Sequence, residues 1–182
     1  MLRHLRIATL LLIASTVPVF AKAQAAPIPA ATVTSPKVLN ATEAGSVLPP
    51  AVFFRGQSAS TQARNSGGVQ FSKDALMLAV LVDTSGYSSS LQQKYQAYLI
   101  TEVPVVFEDH RLPPGAYGCG FIAGDNFIVM DIGGHDLFTV KSTHDATLHR
   151  PTPLQVLASP ANPQRYRLYA GRNFVEFAAA GQ

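Results

Sequence analysis

The chain has 182 residues, with 14 Lys+Arg against 11 Asp+Glu and a single cysteine, Cys119. One thiol excludes a disulfide within the chain, so stability has to come from packing. The length suits one ordinary domain with a real core behind an N-terminal leader.

Residues 1–25 read as a secretory signal peptide. Arg3, His4 and Arg6 form a basic start, Ile7–Ile13 an apolar run that continues weakly to Phe20, and Ala21, Ala23 and Ala25 supply small-x-small cleavage signals. The run is broken by Pro18 and is too short for a membrane span. No later stretch is long and apolar enough to cross a bilayer. The expected location is therefore outside the cytoplasm, periplasmic or secreted. Arg3, Arg6 and Lys22 leave with the leader, so 11 basic residues face 11 acidic ones and the formal charge falls from +3 to zero. With no basic run left, neither a nucleic-acid partner nor electrostatic membrane binding is expected.

Residues 26–49 are rich in Ala, Pro, Ser, Thr and Val and read as a flexible linker. Residues 50–182 read as a single all-β domain. Ala51–Arg55 is the first strand, Gln57–Asn65 a polar extended edge, Asn65–Gly68 a turn, and Val69–Phe71 a short strand. Ala75–Asp83 is apolar throughout, as in a strand covered on both faces. Leu91–Tyr95 suits one helical turn. Tyr95–Glu108 alternates, and Pro104 marks an edge, a bulge or a junction of two strands.

Leu112–Asp136 is the organising hairpin. Tyr117, Cys119 and Phe121 point one way and Gly118 and Gly120 the other, so one face is bulky and the other nearly bare backbone. Gly124-Asp125 supplies the turn into Asn126–Asp131. Leu137–Ser142 and Leu154–Ala158 are further strands, with a long polar loop between them. Arg165–Tyr169 and Phe174–Phe177 form a last hairpin around Gly171-Arg172. The sum is an antiparallel meander of about eight to ten strands, closed as a small β-barrel or a two-layer β-sandwich.

Four places carry candidate chemistry. Asp131, His135, Asp136, His144, Asp145 and His149 supply metal-ligand types, but at no compact metal spacing, and solvated loops explain them better. Leu81–Gly86 resembles the hydrophobic-hydrophobic-D-T-G motif of aspartic proteases through Asp83 and Thr84, with Ser85 in place of the glycine. In the corresponding Asp131-Ile132-Gly133, Ile132 replaces Thr or Ser. Ser85 lies in no nucleophile elbow, and Cys119 has His110 and His135 near it only in sequence. The gap at Gly118 and Gly120 suits either a small apolar ligand or a neighbouring aromatic ring. Tyr95, Tyr98, Tyr166 and Tyr169 supply amphipathic rings. The Arg165/Arg167/Tyr169 face suits an acidic or carbohydrate partner, or simply solvent.

No residue set is thus assigned as catalytic, cofactor-binding or metal-ligating. The expectation is a non-catalytic exported β-domain that binds a small ligand or another envelope or extracellular protein. One alternative is a hydrolytic enzyme using residues 131–149, with or without metal. Another is a self-assembling structural subunit joined through its edge strands.

Overall fold

The computed structural model describes residues 35–181. The expected signal peptide and the first part of the expected linker lie outside the described residues. The chain divides after Thr32, and everything described belongs to the second unit. It opens with β1 (Lys37–Leu39), helix α1 (Ala41–Val47), β2 (Ala51–Phe54), β3 (Gln57–Ser72) and β4 (Ala75–Val82). A one-turn helix, α2 (Ser89–Gln92), precedes β5 (Ala97–Thr101), β6 (Val105–Phe107), β7 (His110–Leu112), β8 (Gly115–Ile122) and β9 (Asn126–Met130). Then follow β10 (Asp136–Lys141), β11 (Thr143–His144), β12 (Gln155–Ala158), β13 (Tyr166–Ala170) and β14 (Asn173–Ala179).

Strands make up 54% of the structure and helix 7%, in two antiparallel sheets without a closed barrel. The all-β expectation therefore holds, and the closure is a sandwich. The larger sheet runs β1-β3-β4-β5-β8-β9-β10, with β2 pairing β3; the smaller runs β12-β13-β14-β6-β7, with β11 pairing β14. The fourteen strands among the described residues exceed the expected eight to ten because several are pieces of two or three residues. Pro104 stands at a junction: β5 before it lies in the larger sheet and β6 after it in the smaller.

Alternation builds two cores on the larger sheet. Met77, Ala79, Leu99, Tyr117, Cys119, Phe127 and Val129 face the smaller sheet, whose Phe107, Leu168, Val175 and Phe177 complete that cluster. Leu78, Val80, Tyr98, Ile128 and Met130 point outward, which normally means solvent. Here they are covered by Leu39, Ala44, Leu48, Val52 and Phe54 from the N-terminal segment and by Tyr87, Leu91 and Tyr95. The central strands are apolar on both faces because both faces are covered.

This corrects the expected linker at 26–49 over its second half. Residues 37–47 are a strand and a helix. Asn40 caps α1 by accepting from Thr42 N and Glu43 N, while the Glu43 side chain accepts from Asn40 N. Such a reciprocal box satisfies donors the first turn leaves unpaired. Few large side chains are needed, because Leu39, Ala44 and Leu48 lie on a surface that other strands provide.

The Asn65–Gly68 turn is also corrected. These residues stay within β3, where pairing with β4 slips from Thr61↔Val82 to Ser66↔Val80 and leaves an irregular bulge. Gly67 is needed for close approach rather than for turning: a Cβ there would lie 2.8 Å from Val156 N of β12. At the β8–β9 turn, by contrast, Gly124 and Asp125 have φ of 78° and 54°, the left-handed pair a tight two-residue hairpin requires.

Candidate functional site: a groove between two sheet ends

β1 ends the larger sheet and β12 ends the smaller one. The two lie on either side of one open groove of about 280 Å³. Its apolar surface comes from Val38, Leu39, Leu154, Val156 and Leu157, and its polar groups from Asn40, Arg64, Ser66, Thr152 and Gln155. The β3 bulge carries Arg64 to the rim, where it is exposed and has no carboxylate partner among the described residues. Buried Ser66 hydrogen-bonds Ala63 O and, at 3.3 Å, Ala41 O, which ties the bulge to α1. The missing side chain at Gly67 lets the β12 backbone approach β3 and close the groove floor.

A second, polar cleft of about 300 Å³ opens beside β14. On one edge β14 pairs with β11 at Asn173 and Phe174 and with β6 from Phe177 onward, so Val175 and Glu176 fall in a gap between the two partners. Arg165 Nε and Arg167 Nε donate to Glu176 at 3.2 and 2.9 Å, and Ser159 Oγ donates to it at 2.9 Å. Tyr169 Oη donates to Asp145 at 2.9 Å, and the Arg167 guanidinium lies 4.2 Å from the Phe174 ring centre. Burial pushes the Glu176 carboxyl up, but its bonds from Arg167 and Ser159 outweigh that and hold it below its usual range. The Arg165/Arg167/Tyr169 face singled out in the sequence is therefore mostly occupied with itself.

The residues of the metal and protease readings are kept apart. His135 lies at the turn before β10, where its Nδ1 faces Asp131 at 3.0 Å, and His144 lies beyond the other end of β10, with Nδ1 2.9 Å from Asn173. His149 is exposed in the following loop, and Asp136 pairs with Lys94 at 2.6 Å. Among the described residues no three His, Cys, Asp or Glu side chains converge as a metal site. Asp83 follows β4 and accepts from Ser85 N at 3.0 Å, capping its turn. Asp131 follows β9, which β5 and β8 separate from β4. That is about 14 Å across the sheet, too far for two carboxylates to share a proton.

Cys119 is fully buried between Ala97 and Val129, its cross-strand partners, and burial pushes its thiol up to about 12. A thiol so placed is a small hydrophobe, not a nucleophile. His110 stacks on Phe138, with centroids 4.7 Å apart, and His135 is bound to Asp131.

The bare face of β8 is filled by the protein itself. A Cβ at Gly118 would run into the Phe54 ring, and one at Gly120 into the Lys94 carbonyl oxygen. Phe54 stacks on Tyr95 with centroids 3.9 Å apart. Burial raises the Tyr95 hydroxyl, which has no hydrogen-bond partner among the described residues.

The groove was not legible as a site. Val38 and Leu39 sit in a stretch read as linker. The Asn40-x-x-Glu43 capping box was the available signal that the fold begins there.

Comparison with protein-family models, with curated proteins and with solved structures finds no match.

Proposed function

We propose that this chain is an exported, non-catalytic β-sandwich module that binds an extended segment of another envelope or extracellular protein along the β1/β12 groove. One observation carries the reading: the end strands of two different sheets flank a single apolar groove, with a free arginine at its rim. End strands accept an added strand through their backbone, while the walls between them sort its side chains. Val38, Leu154 and Leu157 suit alternate apolar side chains, and Arg64 suits an acidic residue beside them. A protein segment fits better than a small molecule. The groove is open and holds about 280 Å³, below the roughly 300–1,000 Å³ range of pockets that engulf a ligand. Export rests on the leader-like residues 1–25.

The test is site-specific photocrosslinking in the exported fraction of the native host. A photoreactive residue at Leu157 should give one discrete protein adduct that a second change, Arg64→Glu, weakens. The same residue at Asp125, in the β8–β9 turn, should give none. Equal labelling at both positions sinks the groove. A small molecule bound to purified protein, with no adduct at Leu157, moves the reading to the small-ligand alternative.

A further inference from the structure

The larger sheet has a second end, and it is open. β10 is the terminal strand on that side, and it pairs only with β9. Open edges are usually guarded by being very short, by proline, by bulges or by inward-pointing charge. The other terminal strands are shorter: β1 and β7 have three residues each, and β2 and β12 four each. β10 has six residues, Asp136-Leu137-Phe138-Thr139-Val140-Lys141, with no proline. Its only guards are a register shift between Asp136 and Phe138, which leaves Leu137 as an exposed bulge, and Lys141 at the far end.

We infer that the β10 edge is a homodimer interface, in which β10 of a second copy adds antiparallel across a two-fold axis at Thr139. Two antiparallel strands related by such an axis form one continuous sheet only if facing residues point to the same side. The axis must then pass through a residue rather than between two. Centring it on Thr139 sets Thr139 opposite Thr139 of the second copy, Phe138 opposite its Val140, and Leu137 opposite its Lys141. Threonine pairs and aromatic–β-branched pairs are among the favourable cross-strand combinations. The lysine stem covers the exposed Leu137 while its ammonium reaches water. No like charges face each other in this register. Thr139 and Lys141 are exposed and Val140 and Phe138 are anchored in the core, so the edge is presented on a fixed strand. The bulge at Leu137 ends the ladder and keeps the interface short. The dimer neither uses nor blocks the β1/β12 groove, which lies at the opposite end of the same sheet.

The experiment is sedimentation equilibrium of the purified exported protein over a wide concentration range. The wild type should move from monomer to twice the monomer mass. T139K and T139D each place like charges opposite one another on the axis, so each should stay monomeric while keeping the wild-type circular dichroism spectrum. An equimolar mixture of the two restores the opposite-charge pair and should recover the doubled mass. A second readout needs no variant: amide exchange of Thr139–Lys141 in the wild type should slow as concentration rises. The inference is overturned by a wild type that stays monomeric throughout, or by a dimer that both substitutions leave intact. A mixture that stays monomeric, or amide exchange at β10 indifferent to concentration, overturns it as well.

Discussion

Replacing Gly118 by alanine tests how the outer core is built. In an ordinary strand this change stabilises by roughly 0.5–1 kcal/mol, because glycine has more backbone freedom to lose on folding. Here the added methyl overlaps the Phe54 ring, lying 2.7 Å from Cζ, and sits 3.1 Å from Tyr95 Cδ2. Relief requires the ring to move about 1 Å to reach an ordinary carbon–carbon contact. Phe54 is fully buried, stacks on Tyr95 and meets Tyr87 edge-on at 6.2 Å, so it has nowhere to go without disturbing both. Overpacking of this kind costs about 1–3 kcal/mol, and the net loss after the backbone gain is about 1–2 kcal/mol. Urea unfolding should show a lower midpoint with an unchanged slope, and Tm should fall by roughly 2–8 °C. The decisive comparison is Gly118→Ala in a Phe54→Ala background. There the methyl enters vacated space and should be neutral or stabilising, a coupling of about 1–3 kcal/mol. A single Gly118→Ala variant as stable as the wild type would refute the reasoning and reopen the gap as a ligand space.

Four further predictions concern other parts of the molecule. Cys119 should resist thiol reagents in the folded protein and react only on unfolding; rapid stoichiometric labelling of native protein contradicts its burial. Its thiol keeps its proton up to about 12 when folded, against an ordinary value of 9.0. Its contribution is therefore complete below pH 9, and stability should fall between pH 9 and 12, on the order of 1 kcal/mol per pH unit, as the unfolded chain ionises first. A chain beginning at residue 50 strips Leu39 and Leu48 from the outer core and should lose roughly 3–6 kcal/mol, measured by denaturant unfolding; equal stability would mean that β1 and α1 are dispensable. Glu176→Gln removes the charge that Arg165 and Arg167 share and should cost about 1–2 kcal/mol at neutral pH. Because the Glu176 carboxyl is held below its usual range, that difference should vanish as the pH falls through its lowered value, and a difference that persists in acid would assign it to packing instead.

Much of the fold is written in local patterns. The period-two alternation of Tyr117–Phe121, the doubly apolar runs at β4 and β9, and the Gly124-Asp125 turn identify strands and a hairpin. Each reports on only a residue and its near neighbours along one chain, whose side chains alternate by geometry. Pro104 announced a break in the same way, because it lacks a donor wherever it sits. Where the patterns were silent, long-range contacts decided. Asn65–Gly68 has turn composition yet stays in β3, since its glycines make room for β12 and β4. Val38 and Leu39 look sparse as sequence, yet they line a groove and join the cores, Val38 against the inter-sheet cluster and Leu39 against Leu78, Ile128 and other outer residues far along the chain.

The candidate site divides along the same line. Residue types with chemical capacity were visible at Asp83, Cys119, His135, His144 and His149, but capacity becomes chemistry only through distance. The sequence by itself determined an all-β chain, a formal charge of zero over residues 26–182, and which residues alternate between faces. The tertiary structure alone decided that the sheets pack as a sandwich, and that Phe54 fills the glycine gap. It also left the histidines apart and set the ends of two sheets around one groove. Closure of a sheet and convergence of loops depend on contacts between segments tens of residues apart, and a pattern with a period of two or four residues carries no record of them.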